Sequence, residues 1–255
     1  MQFIDTHAHI NYKPLLQNHE QVIEAALANH VTQIICVGTD IPSSYTAIKL
    51  AEKFHCVYAA AGYHPHDIES AKNGWQQELE KLLQHEKTVA LGEIGLDNYR
   101  NYSPKELQIK FFAEQIEIAK SMKMPMIIHN READEDTEKL LIQANYFNGV
   151  MHCFGSDAEY AQKMVQLGLM ISFTGNITYG KNITGQKAVR ATPMNHLMLE
   201  TDCPFLSPEP RRGRTNAPEN IPFIADKVAE LKKISVEEVA GITTENAVRF
   251  FNLKT

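Results

Sequence analysis

The chain has 255 residues, of which 44% are hydrophobic and 22% charged, a balance that fits a globular protein with a sizeable core and excludes disorder. Its formal charge of −6 excludes a protein that coats nucleic acid by bulk electrostatics and leaves room only for a local basic patch. Four cysteines without Cys-x-x-Cys spacing exclude a disulfide scaffold. With no apolar stretch of ~18 residues and no signal-peptide pattern, the expected address is the cytoplasm.

In chain order, short apolar runs alternate with segments of helical spacing. Strands are predicted over Gln2–Thr6, Gln33–Val37, Val57–Gly62, Thr88–Glu93, Pro125–His129, Gly149–His152, Leu169–Phe173 and Leu197–Thr201. Helices are predicted over Gln17–Asn29, Ser43–Phe54, Gly74–Gln84, Pro104–Met122, Arg131–Gln143 and Asp157–Leu167. Two more follow the last strand, the final one opening at Ser235-Val236-Glu237-Glu238 and running to about Phe250. Ser103-Pro104-Lys105-Glu106 also has the spacing of a capping box. Eight strands separated by crossovers, without hairpin signals, predict an α/β fold with a parallel sheet. A (β/α)8 barrel needs about 250 residues, so residues 1–255 are read as one domain. Pro204–Pro222, with five prolines and the run Arg211-Arg212-Gly213-Arg214, is the most loop-like stretch. In such a barrel it lies on the catalytic face.

There are eleven histidines. His30, His55 and His85 fall near helix ends, where positive charge suits the dipole, and His19 and His196 are read as surface residues. The other six, His7, His9, His64, His66, His129 and His152, fall at or just past the carboxyl ends of strands, as do Glu93 and Asp202. That end of a barrel carries the chemistry. In the strand Asp5-Thr6-His7-Ala8-His9, residues two apart share a face, so His7 and His9 present two nitrogens together. Cys153 and Cys203, each next to a donor, face away as packing neighbours. Glu200 shares the direction of Asp202 and either supports the site or sits deeper.

Four histidines and two carboxylates exceed what one ion with an open position requires. Two divalent ions account for the inventory better: His7 and His9, with Asp202 available, on one, His129 and His152 on the other, and Glu93 between them. Such pairs drive hydrolysis by an activated water, and Asp202 is placed to take its proton. Zinc, magnesium and manganese all suit these donors. Arg131 either aims at a substrate phosphate or pairs with the acidic run Glu132–Glu138. His64, in a proline-stiffened loop, suits substrate contact better than metal. Arg212 and its neighbours either form a basic lip for a polynucleotide backbone or are simply solvated. Tyr12, Tyr63, Tyr99, Phe154 and Phe173 either stack bases or pack.

The chain resembles the TatD family of metal-dependent deoxyribonucleases, within the amidohydrolase-like barrels. The resemblance runs over essentially the whole length. It is carried by Phe3-Ile4-Asp5-Thr6-His7-Ala8-His9, Gly62-Tyr63-His64-Pro65-His66, Gly92-Glu93-Ile94-Gly95-Leu96-Asp97, Pro125-Met126-Ile127-Ile128-His129-Asn130-Arg131, Met151-His152-Cys153-Phe154, Leu199-Glu200-Thr201-Asp202-Cys203-Pro204 and Thr244-Glu245-Asn246-Ala247-Val248-Arg249-Phe250-Phe251. It implies a slightly distorted TIM-type barrel, a divalent-metal site from His7, His9, Glu93, His129, His152 and Asp202, and hydrolysis of DNA phosphodiesters, often as an exonuclease. The expected partner is DNA with single-stranded or frayed ends, handled by a monomer. One departure is that the family often has tyrosine after Gly-Leu-Asp, whereas this chain reads Asp97-Asn98-Tyr99-Arg100. The alternative reading is an amidohydrolase or lactonase on the same barrel. Many of those bridge their metals with a carboxylated lysine from the fourth strand, and here Glu93 holds that place while Lys87 and Lys105 lie outside it.

Overall fold

The computed structural model describes residues 1–100 and 102–254. Among the described residues eight strands alternate with helices, and strand order in the sheet is the chain order, β1 to β8. The chain falls into two compact units, a middle one over Cys36–His152 and a terminal one made of Met1–Ile35 with Cys153–Thr255. β2 (Val31–Val37) spans the boundary in sequence.

The middle unit contains α2 (Ile41–Lys53), β3 (Val57–Ala61), α3 (Trp75–Leu83), β4 (Thr88–Asp97), α4 (Lys105–Met122), β5 (Met126–Arg131), α5 (Asp134–Ala144) and β6 (Gly149–Met151). β3, β4, β5 and β6 pair in that order, all parallel. Ala59, Ala60, Ala90, Leu91, Ile127 and Ile128 are fully buried, the continuous apolar pattern of a parallel sheet covered on both faces. β4 runs four residues beyond the predicted end at Glu93. Its register against β5 shifts between Leu91 and Ile94 and then continues as Gly95↔His129, Leu96↔Asn130 and Asp97↔Arg131. A bulge of this kind re-aims side chains without ending the strand.

β5 likewise continues past His129, so Arg131 closes a strand and does not open a helix. Glu132, at φ 53°, turns the chain, and α5 begins at Asp134. Ser103 does not cap α4: the helix opens at Pro104 without a side-chain cap bond. The Ser103 carbonyl instead accepts from Gln108 Nε2 at 2.9 Å. α2 has a capping box that sequence reading missed, Asp40 with Ser43.

The terminal unit contains β1 (Phe3–Ala8), α1 (His19–Ala28), α6 (Ala158–Gln166), β7 (Met170–Phe173), α7 (Ile183–Ala191), β8 (Leu197–Leu199), α8 (Ile221–Lys232) and α9 (Val236–Phe251). β7 pairs with β8 in parallel. β1 is tied to the segment after β8 by the bridge Ala8↔Cys203, with Asp202 N–H donating to the His7 carbonyl at 2.9 Å and His9 N–H to the Cys203 carbonyl at 2.8 Å. α7 is absent from the predicted elements. Its sequence, Ile-Thr-Gly-Gln-Lys-Ala-Val, mixes glycine with β-branched residues and reads poorly as helix, yet Asn182 caps it by accepting from the Gly185 N–H. α9 opens at Ser235 with the expected capping box. α8 takes in Pro222 within its first turn, where proline costs little. The four cysteines are thiols outside any disulfide. Among the described residues no helix is long and apolar enough to cross a membrane.

Candidate functional site

In the terminal unit, main-chain pairing between β1 and the segment after β8 delivers a three-donor cluster. His7 Nε2 and His9 Nε2 lie 3.1 Å apart. Asp202 Oδ1 is 3.9 Å from the first and 3.5 Å from the second. A triangle with these edges has its circumcentre about 2.0 Å from each corner, the bond length at which imidazole and carboxylate hold a cation such as zinc. His7 and His9 are buried and Asp202 nearly so. Tyr12 stacks on His9 with centroids 4.7 Å apart.

Asp202 sits at φ 52°, a left-handed conformation that a non-glycine residue keeps only when its surroundings impose it. Buried Asp5 supplies that support. Oδ1 accepts from the N–H groups of His7 (3.2 Å) and Thr201 (2.9 Å), and Oδ2 accepts from the Thr201 hydroxyl at 2.5 Å. Burial pushes the Asp5 carboxyl up to about 7 against these bonds. Glu200 does comparable work beneath Cys153, accepting from its N–H at 2.5 Å and from the Ser172 hydroxyl at 2.7 Å. Glu200 is thus a deeper support.

In the middle unit, two imidazoles converge on one carboxylate oxygen. His129 Nδ1 and His152 Nε2 each lie 2.9 Å from Glu93 Oε1, and His64 Nε2 lies 3.5 Å from it. Glu93, His64 and His129 have the spacing of a metal-holding group. The donor chemistry separates them. His64 Nδ1 accepts a hydrogen bond from the His66 main-chain N–H at 3.0 Å, so its lone pair is taken and the neutral ring carries its proton on Nε2. His64 therefore presents an N–H, which suits an oxygen of a bound substrate and not a cation. His129 and His152, each meeting Glu93 Oε1, carry with that carboxylate the donor types of a divalent-cation site.

Sequence reading passed over Asp97 as a site residue. It is fully buried, and its Oδ2 lies 2.9 Å from His66 Nε2 and 3.2 Å from His129 Nε2. Burial would raise this carboxyl, but the bonds from His129, His66 and the Arg100 N–H outweigh it and hold the group well below the usual carboxylate range. Burial likewise pushes the His129 imidazole down, and the bonds to Asp97 and Glu93 turn the net shift upward. The available signal was position: Asp97 lies four residues beyond Glu93 within one motif.

Arg131 is exposed, and its guanidinium lies over the Tyr99 ring, 4.0 Å from the centroid. Among the described residues it makes no ion pair with the Glu132–Glu138 run. Arg212 is exposed in the terminal unit, 3.2 Å from Glu209 Oε2 and over Tyr179 at 4.5 Å. Tyr63, Phe154 and Phe173 are buried and belong to the core. Tyr99 is half exposed.

Eight βα units in chain order, with imidazoles and carboxylates gathered at the strand ends, define a metal-dependent hydrolase of the (β/α)8 class. Comparison with known proteins agrees. The family described as TatD related DNase matches residues 4–252. The chain belongs to the TatD family. It is 41% identical over 251 residues to the uncharacterized metal-dependent hydrolase YabD of Bacillus subtilis, covering 98% of each chain. It is 34% identical to the uncharacterized metal-dependent hydrolase YcfH of Escherichia coli K12, covering 99% of this chain and 97% of that one. The crystal structure of YJJV, a TatD homolog from Escherichia coli K12, superposes with a TM-score of 0.94 at 30% identity, covering 99% of this chain and 98% of the other.

Proposed function

We propose that this hydrolase cleaves DNA phosphodiester bonds, acting on single-stranded or frayed ends as an exonuclease. Two divalent cations serve it, one held by His7, His9 and Asp202 and one by Glu93, His129 and His152. The observation that carries the reading is Arg131, an exposed guanidinium held against an exposed tyrosine two residues from His129. A phosphate oxygen pairs with such a fork, and the tyrosine face accepts a base.

A bound cation supplies Lewis acidity and brings the pKa of water toward neutrality. The protein's own groups do the rest. Asp202 receives the proton of the attacking water. The His64 Nε2–H donates to a non-bridging phosphate oxygen, where negative charge grows in the transition state. Arg131 holds a neighbouring phosphate.

The test is cleavage of 3′- and 5′-labelled single strands by protein loaded with Mg²⁺, Mn²⁺ or Zn²⁺. Metal-dependent shortening is expected, and its absence above a Glu93→Ala control overturns the reading. So does turnover of a cyclic amide or lactone panel with DNA left intact. Arg131→Ala is expected to weaken DNA binding by roughly 10- to 100-fold, the worth of a charge-assisted hydrogen bond. It also lowers the salt dependence of binding by about one counterion.

A further inference from the structure

A ring nitrogen binds a cation only through its lone pair, so a histidine that faces carboxylates on both sides needs its proton placed. His129 is in that position, with Nδ1 2.9 Å from Glu93 Oε1 and Nε2 3.2 Å from Asp97 Oδ2. The two oxygens of Asp97 are used differently. Oδ1 accepts from the main-chain N–H groups of Tyr99 at 2.9 Å and Arg100 at 2.8 Å. Those donors cannot turn round, so Oδ1 is an acceptor. Oδ2 faces His129 Nε2 and His66 Nε2 together. An ionised carboxylate accepts only, so each of these rings presents an N–H to it.

We propose that Asp97 is a positioning residue that places the His129 proton on Nε2, so that His129 binds its cation through Nδ1. By gripping the His66 ring, the same carboxylate steadies the loop whose main-chain N–H keeps His64 an Nε2–H donor. One buried group thus sets the hydrogen-bonding role of three histidines. This rests on the reading of the middle cluster as a cation site.

Asp97→Asn is the informative variant. Its carbonyl stays with the Tyr99 and Arg100 N–H groups, and its NH2 then faces the two rings. Both Nε2 atoms must accept, and His129 carries its proton on Nδ1, the wrong nitrogen. Zn²⁺ titration of the metal-free protein against a chromophoric chelator is expected to show one site weakened by roughly 10- to 100-fold, the usual effect of losing such a partner. The site lost in His9→Ala is expected to keep its wild-type affinity. Long-range ¹H–¹⁵N spectra of Zn²⁺-loaded wild type should show His129 metal-bound at Nδ1 and protonated at Nε2, a signature that a purely structural role does not dictate.

Wild-type affinity at both sites in Asp97→Asn, or Nε2 ligation by His129 in the loaded wild type, overturns the proposal and leaves the metal reading intact. A wild type that binds no Zn²⁺ overturns both. If Asp97→Asn fails to fold by circular dichroism, the wild-type spectrum decides alone.

Discussion

Gly95 leaves no room for a side chain. Its φ is 140°, it sits opposite His129 in the sheet register, and a Cβ there would collide with the His129 carbonyl. Gly95→Ala is therefore expected to lower stability by at least about 1–3 kcal/mol, the cost of holding a side-chain-bearing residue in that conformation. Urea denaturation measures it. Glu200→Ala, which removes the acceptor of the Cys153 N–H and the Ser172 hydroxyl, is expected to cost about 1–3 kcal/mol. Donors were legible one by one because each follows an apolar run, and alternation alone paired His7 with His9. Asp97 escaped because an aspartate after Gly-Leu reads as the start of a loop. Only its burial and its two imidazole neighbours reveal what it does.

At the scale of elements, α4 shows what hydrophobic periodicity leaves out. Gln108 and Gln115 stand seven residues apart, both buried. Gln115 Oε1 accepts from the Tyr63 N–H at 2.7 Å, and its Nε2 donates to the Tyr63 carbonyl at 3.1 Å. Gln108 treats Asp97 the same way, at 2.9 and 3.2 Å. Each amide offers main chain the acceptor and donor of a strand neighbour, at Tyr63 just beyond the end of β3 and at Asp97, the last residue of β4. Gln108→Leu is expected to destabilise the fold by about 1–3 kcal/mol by stranding the buried Asp97 N–H, again read by urea denaturation. Capping was legible where side-chain chemistry decides it, as at Ser235, and misread at Ser103, where proline spacing matched a pattern the local geometry does not use. The Ser235 box also has a pH consequence. Hydrogen bonds from the Ser235 N–H and hydroxyl hold the exposed Glu238 carboxyl below its usual value. A depressed carboxyl contributes stability above the unfolded pKa near 4.5 and loses it as pH falls through the lower folded value. Denaturation series between pH 6 and about 3 should show Glu238→Gln losing less stability on the acid side than the wild type.

For the whole molecule, a cation held by donors far apart in sequence would couple its binding to folding. His7 and His9 meet Asp202 only once β1 has found the segment after β8. An ion that binds only the folded chain stabilises it by about 2.7 kcal/mol at a hundred times its Kd. Thermal melts should rise with added Zn²⁺ or Mn²⁺ and fall with a chelator, and His9→Ala should abolish part of the rise. The eight-strand order was readable from alternation because each crossover is long and each strand apolar. Strand limits were not, since a bulge at Gly92-Glu93 leaves no trace in composition.

The chain has one tryptophan, and its position makes it an optical probe. Trp75 is 7% exposed, stacks on Phe111 with centroids 4.7 Å apart and meets the edge of Tyr63 at 5.5 Å. Tyr63 precedes His64 in the chain and is clasped by Gln115. Indole emission, blue-shifted by burial, therefore reports the packing of α3 and α4 behind the His64 loop without any label.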